Sequence, residues 1–174
     1  MVYACAYTHI RETTMPKWIT YLLIALITAL LIVALAGPIG PLPGVRLGGN
    51  ATPAPASWAG VSLPDEVQIK ASNGLIPRVV NIWIVELNDS LYVFGVRDSG
   101  WVNAAIANPH VNLRVNNETF TLQAEPLDNP SSEIYEQYVA RYAANYPDIM
   151  EGMSQQDMAE SGIVFRLQAK QAND

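Results

Sequence analysis

The chain has 174 residues, with 10 Lys+Arg against 16 Asp+Glu and a formal net charge of −6. Nucleic acid and anionic lipid are therefore poor partners for its surface as a whole. Cys5 is the single cysteine and His9 and His110 the only histidines, which excludes a disulfide framework or a Cys-ligated metal site, and none of the site residues is expected to bind metal.

Residues 18–36, between Lys17 and Gly37-Pro38, carry no charge. As a helix they would extend about 28 Å at roughly 1.5 Å per residue, close to a hydrocarbon core of about 30 Å. They read as a single-pass transmembrane anchor. A cleaved export signal competes, because Ala34-Leu35-Ala36 has a small-x-small form, although a typical h-region is shorter, about 7–15 residues. Arg11 and Lys17 precede the run, and Arg46 is the one basic residue between positions 37 and 68. That bias puts segment 1–17 in the cytoplasm and the C-terminal domain outside the cytoplasmic membrane. Translation from Met15 would remove Arg11 and leave a tie.

Residues 37–64 are rich in Pro, Gly, Ala and Ser and read as a semi-extended tether. Trp58 near its end either docks at a membrane interface or caps the domain core. The domain, residues 65–174, opens with period-two patterning: Val67, Ile69 and Ala71 alternate with polar neighbours before the turn at Asn73-Gly74. Residues 79–87 are almost continuously apolar, as a strand covered on both faces requires. Asn88-Asp89 then turns into residues 91–96. Val111, Leu113 and Val115 form one arm of a second hairpin and Phe120, Leu122 and Ala124 the other, joined at Asn116-Asn117, where asparagine tolerates positive φ. The last strand carries Phe165 and Leu167 on one face and Arg166 on the other. Six such strands predict a mainly β fold, a six-stranded antiparallel barrel. Its core candidates are Val80, Ile82, Ile84, Leu91, Val93, Val111, Leu113, Phe120, Leu122 and Phe165.

Two helices interrupt the strands. Ser99 caps a short one over residues 100–107, stopped by Asn108-Pro109. His110 follows as an exposed loop residue; a Ser-His-Asp triad would rest on it alone, and no G-x-S-x-G elbow supports one. The second helix takes Asn129 as cap and Pro130 as first residue and runs to Tyr146-Pro147. Tyr135, Val139, Tyr142 and Tyr146 form a stripe on it, read as packing. A further turn at Ser154 to Asp157 has the form of a capping box.

The segments Leu91-Tyr92-Val93-Phe94-Gly95-Val96-Arg97-Asp98-Ser99-Gly100-Trp101 and Asn108-Pro109-His110-Val111-Asn112-Leu113-Arg114-Val115 stand in a particular order with the tail Ile163-Val164-Phe165-Arg166-Leu167. Over roughly residues 65–168 this order resembles the split-barrel superfamily of pyridoxamine-phosphate-oxidase-like proteins, particularly the branch with deazaflavin-dependent nitroreductases. The resemblance implies a flavin or deazaflavin cofactor, FMN or F420, in a groove often formed between two protomers, hence a homodimer. Its phosphate would be held by the barrel strands and the start of the short helix.

Arg97, Ser99, Gly100 and Trp101 are the candidate cofactor-binding residues, since an arginine, a hydroxyl and two amides at a helix N-terminus favour an anion. Arg78 is a further cation for the same groove. The plainer alternative is that Ser99 only caps the helix, Arg97 pairs with Asp98 or Glu86, and Trp101 packs in the core. The chain departs from oxidase-type members in having no lysine between Lys70 and Lys170. Two functions remain open: a membrane-anchored oxidoreductase passing hydride to a small organic acceptor, with no catalytic side chain named, or a non-catalytic split-barrel binding or assembly module at the outer face of the membrane.

Overall fold

The computed structural model describes residues 16–35, 37–40, 42–74, 76–152 and 154–169. Cys5, His9, Arg11, Met15, Ala36 and Lys170 lie outside them. The chain divides into two units, Met1–Ala34 and Leu35–Asp174.

In the first unit, α1 (Lys17–Leu35) forms where the uncharged run predicts a helix. Trp18, Leu22, Leu26 and Leu30 are exposed on it. Its described side chains end at Ile32, and among the described residues no helix is long and apolar enough to cross a membrane.

The second unit contains β1 (Asn50–Ala51), β2 (Glu66–Ala71), β3 (Arg78–Leu87), β4 (Ser90–Val96), α2 (Gly100–Ala107), β5 (His110–Val115), β6 (Glu118–Leu127), α3 (Ser132–Tyr142), α4 (Pro147–Glu151), α5 (Gln155–Ser161) and β7 (Gly162–Ala169). Strands β2 to β7 pair antiparallel in the cyclic order β2-β3-β4-β7-β6-β5, and β5 returns to β2. Closure removes every long free edge. The expected six-stranded antiparallel barrel is thus present. Hairpin β3–β4 turns on Asn88 and Asp89 at φ of 51° and 63°, and Asn116 supplies φ of 54° between β5 and β6, the backbone geometry that tight hairpins need.

Alternation sends Ile69, Ile84, Leu91, Val93, Leu113, Leu122, Phe165 and Leu167 into the barrel, each at most 1% exposed. Nine of the ten core candidates are buried; Val80 is half-buried at the edge of the same cluster. Strand β3 is covered on both faces as expected: Ile82 and Ile84 face the barrel interior, whereas Val85 and Trp83 join a second cluster with Ile134, Tyr138, Tyr142, Met150 and Met158. Burying a Leu, Ile or Phe side chain is favourable by about 1.5–3 kcal/mol, so this inward row dominates the drive to close.

The second expected helix is corrected in two ways. It begins at Ser132 with Ser131 as N-cap, not at Asn129 and Pro130, because Ser131 is the residue with extended backbone whose carbonyl accepts Ile134 N–H at 3.2 Å. It also ends at Tyr142; Pro147 then starts α4 at its first position, where a missing N–H costs nothing. The buried stripe is consequently Ile134, Tyr138 and Tyr142, with Tyr135 and Val139 only half-buried. The capping box is formed: Ser154 accepts from Asp157 N–H, and the Asp157 carboxylate accepts from Ser154 N–H.

The segment expected as a tether is ordered against the barrel from Gly44 onward. Gly44 bridges to Val79, β1 runs parallel to β6, and the hydroxyl of Thr119 donates to the Gly48 carbonyl at 2.8 Å. Leu47 and Trp58 are buried, and Trp58 meets Phe120 edge-on at 5.1 Å. Of its two readings, Trp58 therefore takes the core cap. The segment is a strap, held because it carries buried apolar residues that its Pro and Gly content conceals.

Candidate functional site

The N-terminus of α2 carries the site. Asp98 has φ of 65° and reverses the chain out of β4 so that Ser99 reaches the N-cap position. Its backbone is extended there, yet its side chain makes no cap hydrogen bond. Ser99 Oγ is buried without a hydrogen-bond partner among the described residues. An unsatisfied buried hydroxyl costs about 1–3 kcal/mol. Among the described residues no side-chain cap hydrogen bond satisfies the first turn of α2.

Ser99 opens on a cavity of about 320 Å³ whose walls include Trp83, Phe94, Trp101, Tyr138, Met150 and Met158, with Glu66 and Asn81 as further polar groups. This size lies within the range of about 300–1,000 Å³ for small-molecule sites. Trp101 is nearly buried and packs against the Phe165 ring at 5.5 Å, so it serves the core and the cavity together. Gly95 lies beneath it, where any Cβ would collide with Trp101 and Val102. Trp83 stacks on Tyr142 with centroids 4.5 Å apart and planes at 10°, which fixes its ring. The Tyr138 hydroxyl donates to the Tyr92 carbonyl at 3.1 Å. Burial, then the neighbouring Tyr142, raises its pKa well above the usual phenol value, against a lowering backbone hydrogen bond from Phe94. It is neutral at physiological pH.

Arg78 lies across the start of α2: a Cβ on Gly100 would stand 2.6 Å from Arg78 Nε. Glycine is what lets that guanidinium approach the helix N-terminus. Arg78 pairs with Ala71 across β2–β3, and its side chain has no hydrogen-bond or ion-pair partner among the described residues.

Four of the five candidates, Ser99, Gly100, Trp101 and Arg78, are thus gathered at one place, and Arg97 is not. Its guanidinium donates to the carbonyls of Ala159 at 3.2 Å and Gly162 at 3.0 Å and lines a separate hollow beside Asp128 and Pro130. The expected convergence of Arg97 with Ser99 is corrected accordingly. Arg97 follows the end of β4 beside the α5–β7 junction, where the Ala159 and Gly162 carbonyls capture it. Its pairing with Asp98 or Glu86 is not formed either; among the described residues the ion pair is Arg166–Glu125.

Trp83, Phe94, Tyr138, Met150 and Met158 were not among the candidates. The tyrosine stripe pointed at the correct helix but one position away from Tyr138. His110 is exposed at the start of β5, and among the described residues no group of His, Cys, Asp or Glu could hold a metal ion.

A conserved hypothetical protein from Mycobacterium tuberculosis shares this fold at TM-score 0.52 and 15% identity, over 62% of this chain and 74% of that one. A FAD-binding protein from Mesorhizobium loti reaches 0.46 at 16% identity over 62% and 83% of the two chains. An F420 reductase reaches 0.46 at 13% over 68% and 96%. At such identities the likeness is one of fold alone. No curated protein matches the chain. The family described as "Uncharacterized protein conserved in bacteria (DUF2255)" matches residues 59–164, from the end of the strap into β7, and the chain belongs to that family.

Proposed function

We propose that the chain is a membrane-anchored split-barrel protein that binds a flavin or deazaflavin in the Ser99 cavity and passes hydride to a small organic acceptor. One observation carries this: a buried hydroxyl without a partner, Ser99 Oγ, faces an aromatic-walled cavity at an uncapped helix N-terminus. A phosphate would satisfy the hydroxyl and the first-turn amides together, with the unpaired Arg78 guanidinium supplying charge. The rings of Trp83, Phe94, Trp101 and Tyr138 suit a flat heteroaromatic ring and exclude water from it. The bound cofactor supplies the hydride chemistry; the protein binds, orients and shields. The absence of histidine and cysteine from the cavity lining is compatible with that division of labour.

Membrane attachment rests on the sequence: residues 18–36 carry no charge, and a stretch apolar all round is stable only when covered. Anchoring by residues 18–36 puts the barrel outside the cytoplasmic membrane, as the flanking charges favour. Protease added to intact spheroplasts should remove the barrel; protection there, with digestion after the membrane is opened, would reverse the orientation.

A second reading, a barrel that serves as a binding or assembly module without turnover, is favoured by the diversion of Arg97, which leaves Arg78 as the one cation at α2. The two separate on the purified full chain. Mass spectrometry of copurifying small molecules and fluorescence titration with FMN and F420 should reveal binding that Ser99→Ala weakens. No binding at tens of micromolar would remove the oxidoreductase in favour of the module.

A further inference from the structure

A third hollow lies between the strap and the outer face of β2 and β5. Its volume is about 510 Å³, and Arg46, Lys70 and Arg114 line it together with Gln68 and backbone of the strap, without one Asp or Glu. In a chain with 16 acidic and 10 basic residues, three cations at one acid-free hollow run against the overall charge.

Two of the cations come from adjacent strands. Gln68 stands opposite Arg114 in the β2–β5 register, with Lys70 two residues further along β2 on the same outward face. The strap brings the third, Arg46, over this face. Arg114 is fixed by its neighbours: Nε donates to the Asn116 carbonyl at 3.0 Å, and Nη1 is shared between the Leu47 carbonyl at 3.2 Å and Gln68 Oε1 at 3.3 Å. Its Nη2 has no acceptor among the described residues. The Arg46 and Lys70 side chains have neither an ion pair nor a hydrogen bond there. Gly48 takes φ of +66°, a left-handed backbone that favours glycine, where the strap crosses the Arg114 guanidinium. One cation is therefore pre-oriented and two are free to close on a ligand. Gathering like charges is unfavourable unless an anion joins them, and a tetrahedral oxyanion meets both a planar fork and a compact ammonium.

We infer that this hollow is a binding site for a phosphate group, distinct from the Ser99 cavity. Gly37, which also lines it, follows the end of α1 by two positions. If α1 is a membrane anchor, as proposed above, an anionic phospholipid headgroup is the source of phosphate nearest along the chain; a soluble phosphate is the other.

The test uses the full chain in zwitterionic detergent, wild type against the double variant Arg46→Gln and Lys70→Gln. Neither side chain makes a hydrogen bond among the described residues, so melting and cofactor binding should be unchanged. Native mass spectrometry compares retention of phosphatidylglycerol with phosphatidylcholine, and calorimetry measures inorganic phosphate. Wild type should hold one of the two phosphate probes about tenfold or more tightly than the variant, the loss expected for charge-assisted contacts. Selective retention of phosphatidylglycerol alone assigns the headgroup; binding of inorganic phosphate assigns a soluble ligand. Equal behaviour of wild type and variant toward both probes overturns the inference, whatever the outcome at Ser99.

Discussion

The Tyr142 hydroxyl accepts the Ile84 N–H at 3.0 Å across 58 residues of chain. The same oxygen lies 2.8 Å from the Asp65 carbonyl and 2.9 Å from the Ile84 carbonyl, and Arg141 Nε donates to it at 3.2 Å. Pairing between β2 and β3 stops at Glu66 opposite Trp83. One residue further, the phenol stands between the strands where a ladder bond would otherwise form. Arg141 also holds the Leu63 and Pro64 carbonyls, at 2.6 and 3.0 Å, so α3 fastens the strap to the barrel beside the Ser99 cavity.

Tyr142→Phe should destabilise the barrel by about 1–3 kcal/mol, since a buried amide loses its acceptor; urea unfolding measures it. Burial raises the Tyr142 pKa above its ordinary 10.0, against lowering by the Ile84 hydrogen bond and Arg141. A raised folded-state value means the contribution is fully present below pH 10 and is lost as pH rises through that value. The alkaline limb of the stability curve should therefore flatten in the phenylalanine variant.

Asp157 gives the opposite sign. The Ser154 hydroxyl and then the Ser154 N–H hold its carboxyl below the ordinary 3.8. Its stabilising effect is complete above that ordinary value and disappears as pH falls through the lower folded value. Asp157→Asn should remove this acid dependence from the melting of α5, followed by amide exchange in residues 155–161.

Ser99→Ala removes an oxygen that has no partner in the protein, so the unliganded barrel should be as stable as wild type or more so. Cofactor affinity should nevertheless fall about tenfold, the scale of a charge-assisted contact, and Arg78→Ala should do the same. Arg97→Ala is the control: its guanidinium holds carbonyls of Ala159 and Gly162, so affinity should stay constant. A drop with Arg97→Ala equal to that of Arg78→Ala would mean that the phosphate sits elsewhere.

Trp58→Ala and Trp101→Ala should each cost about 3–5 kcal/mol, as expected for a buried aromatic ring. Only the second should also abolish binding in the cavity, because Trp58 packs on Phe120 and does not line it. Unfolding midpoints with and without FMN separate the two effects.

The strands were legible because their signal is local. Alternation at Val111, Leu113 and Val115, or at Phe120, Leu122 and Ala124, fixes both the extended backbone and the face each side chain buries, since a slip of one residue would expose them all. Turn residues such as Asn88 and Asn116 advertise their positive φ in the same local way. The apolar run of α1 and the capping box at Ser154 belong to this class as well. Part of the site was equally visible: Ser99, Gly100 and Trp101 are consecutive, and their convergence follows from the helix start alone.

What the tertiary structure decided depends on partners distant in sequence. The direction of Arg97 was set by carbonyls of Ala159 and Gly162, more than sixty positions away by sequence number. Closure of β6 on β7, the strap's hold on Arg114, and the arrival of Tyr138, Met150 and Met158 at the Ser99 cavity have the same character. A side chain at a strand end or helix face has several low-energy rotamers. Period and propensity fix the backbone that carries it, but the choice among rotamers falls to whichever donor, acceptor or apolar surface the fold brings within reach.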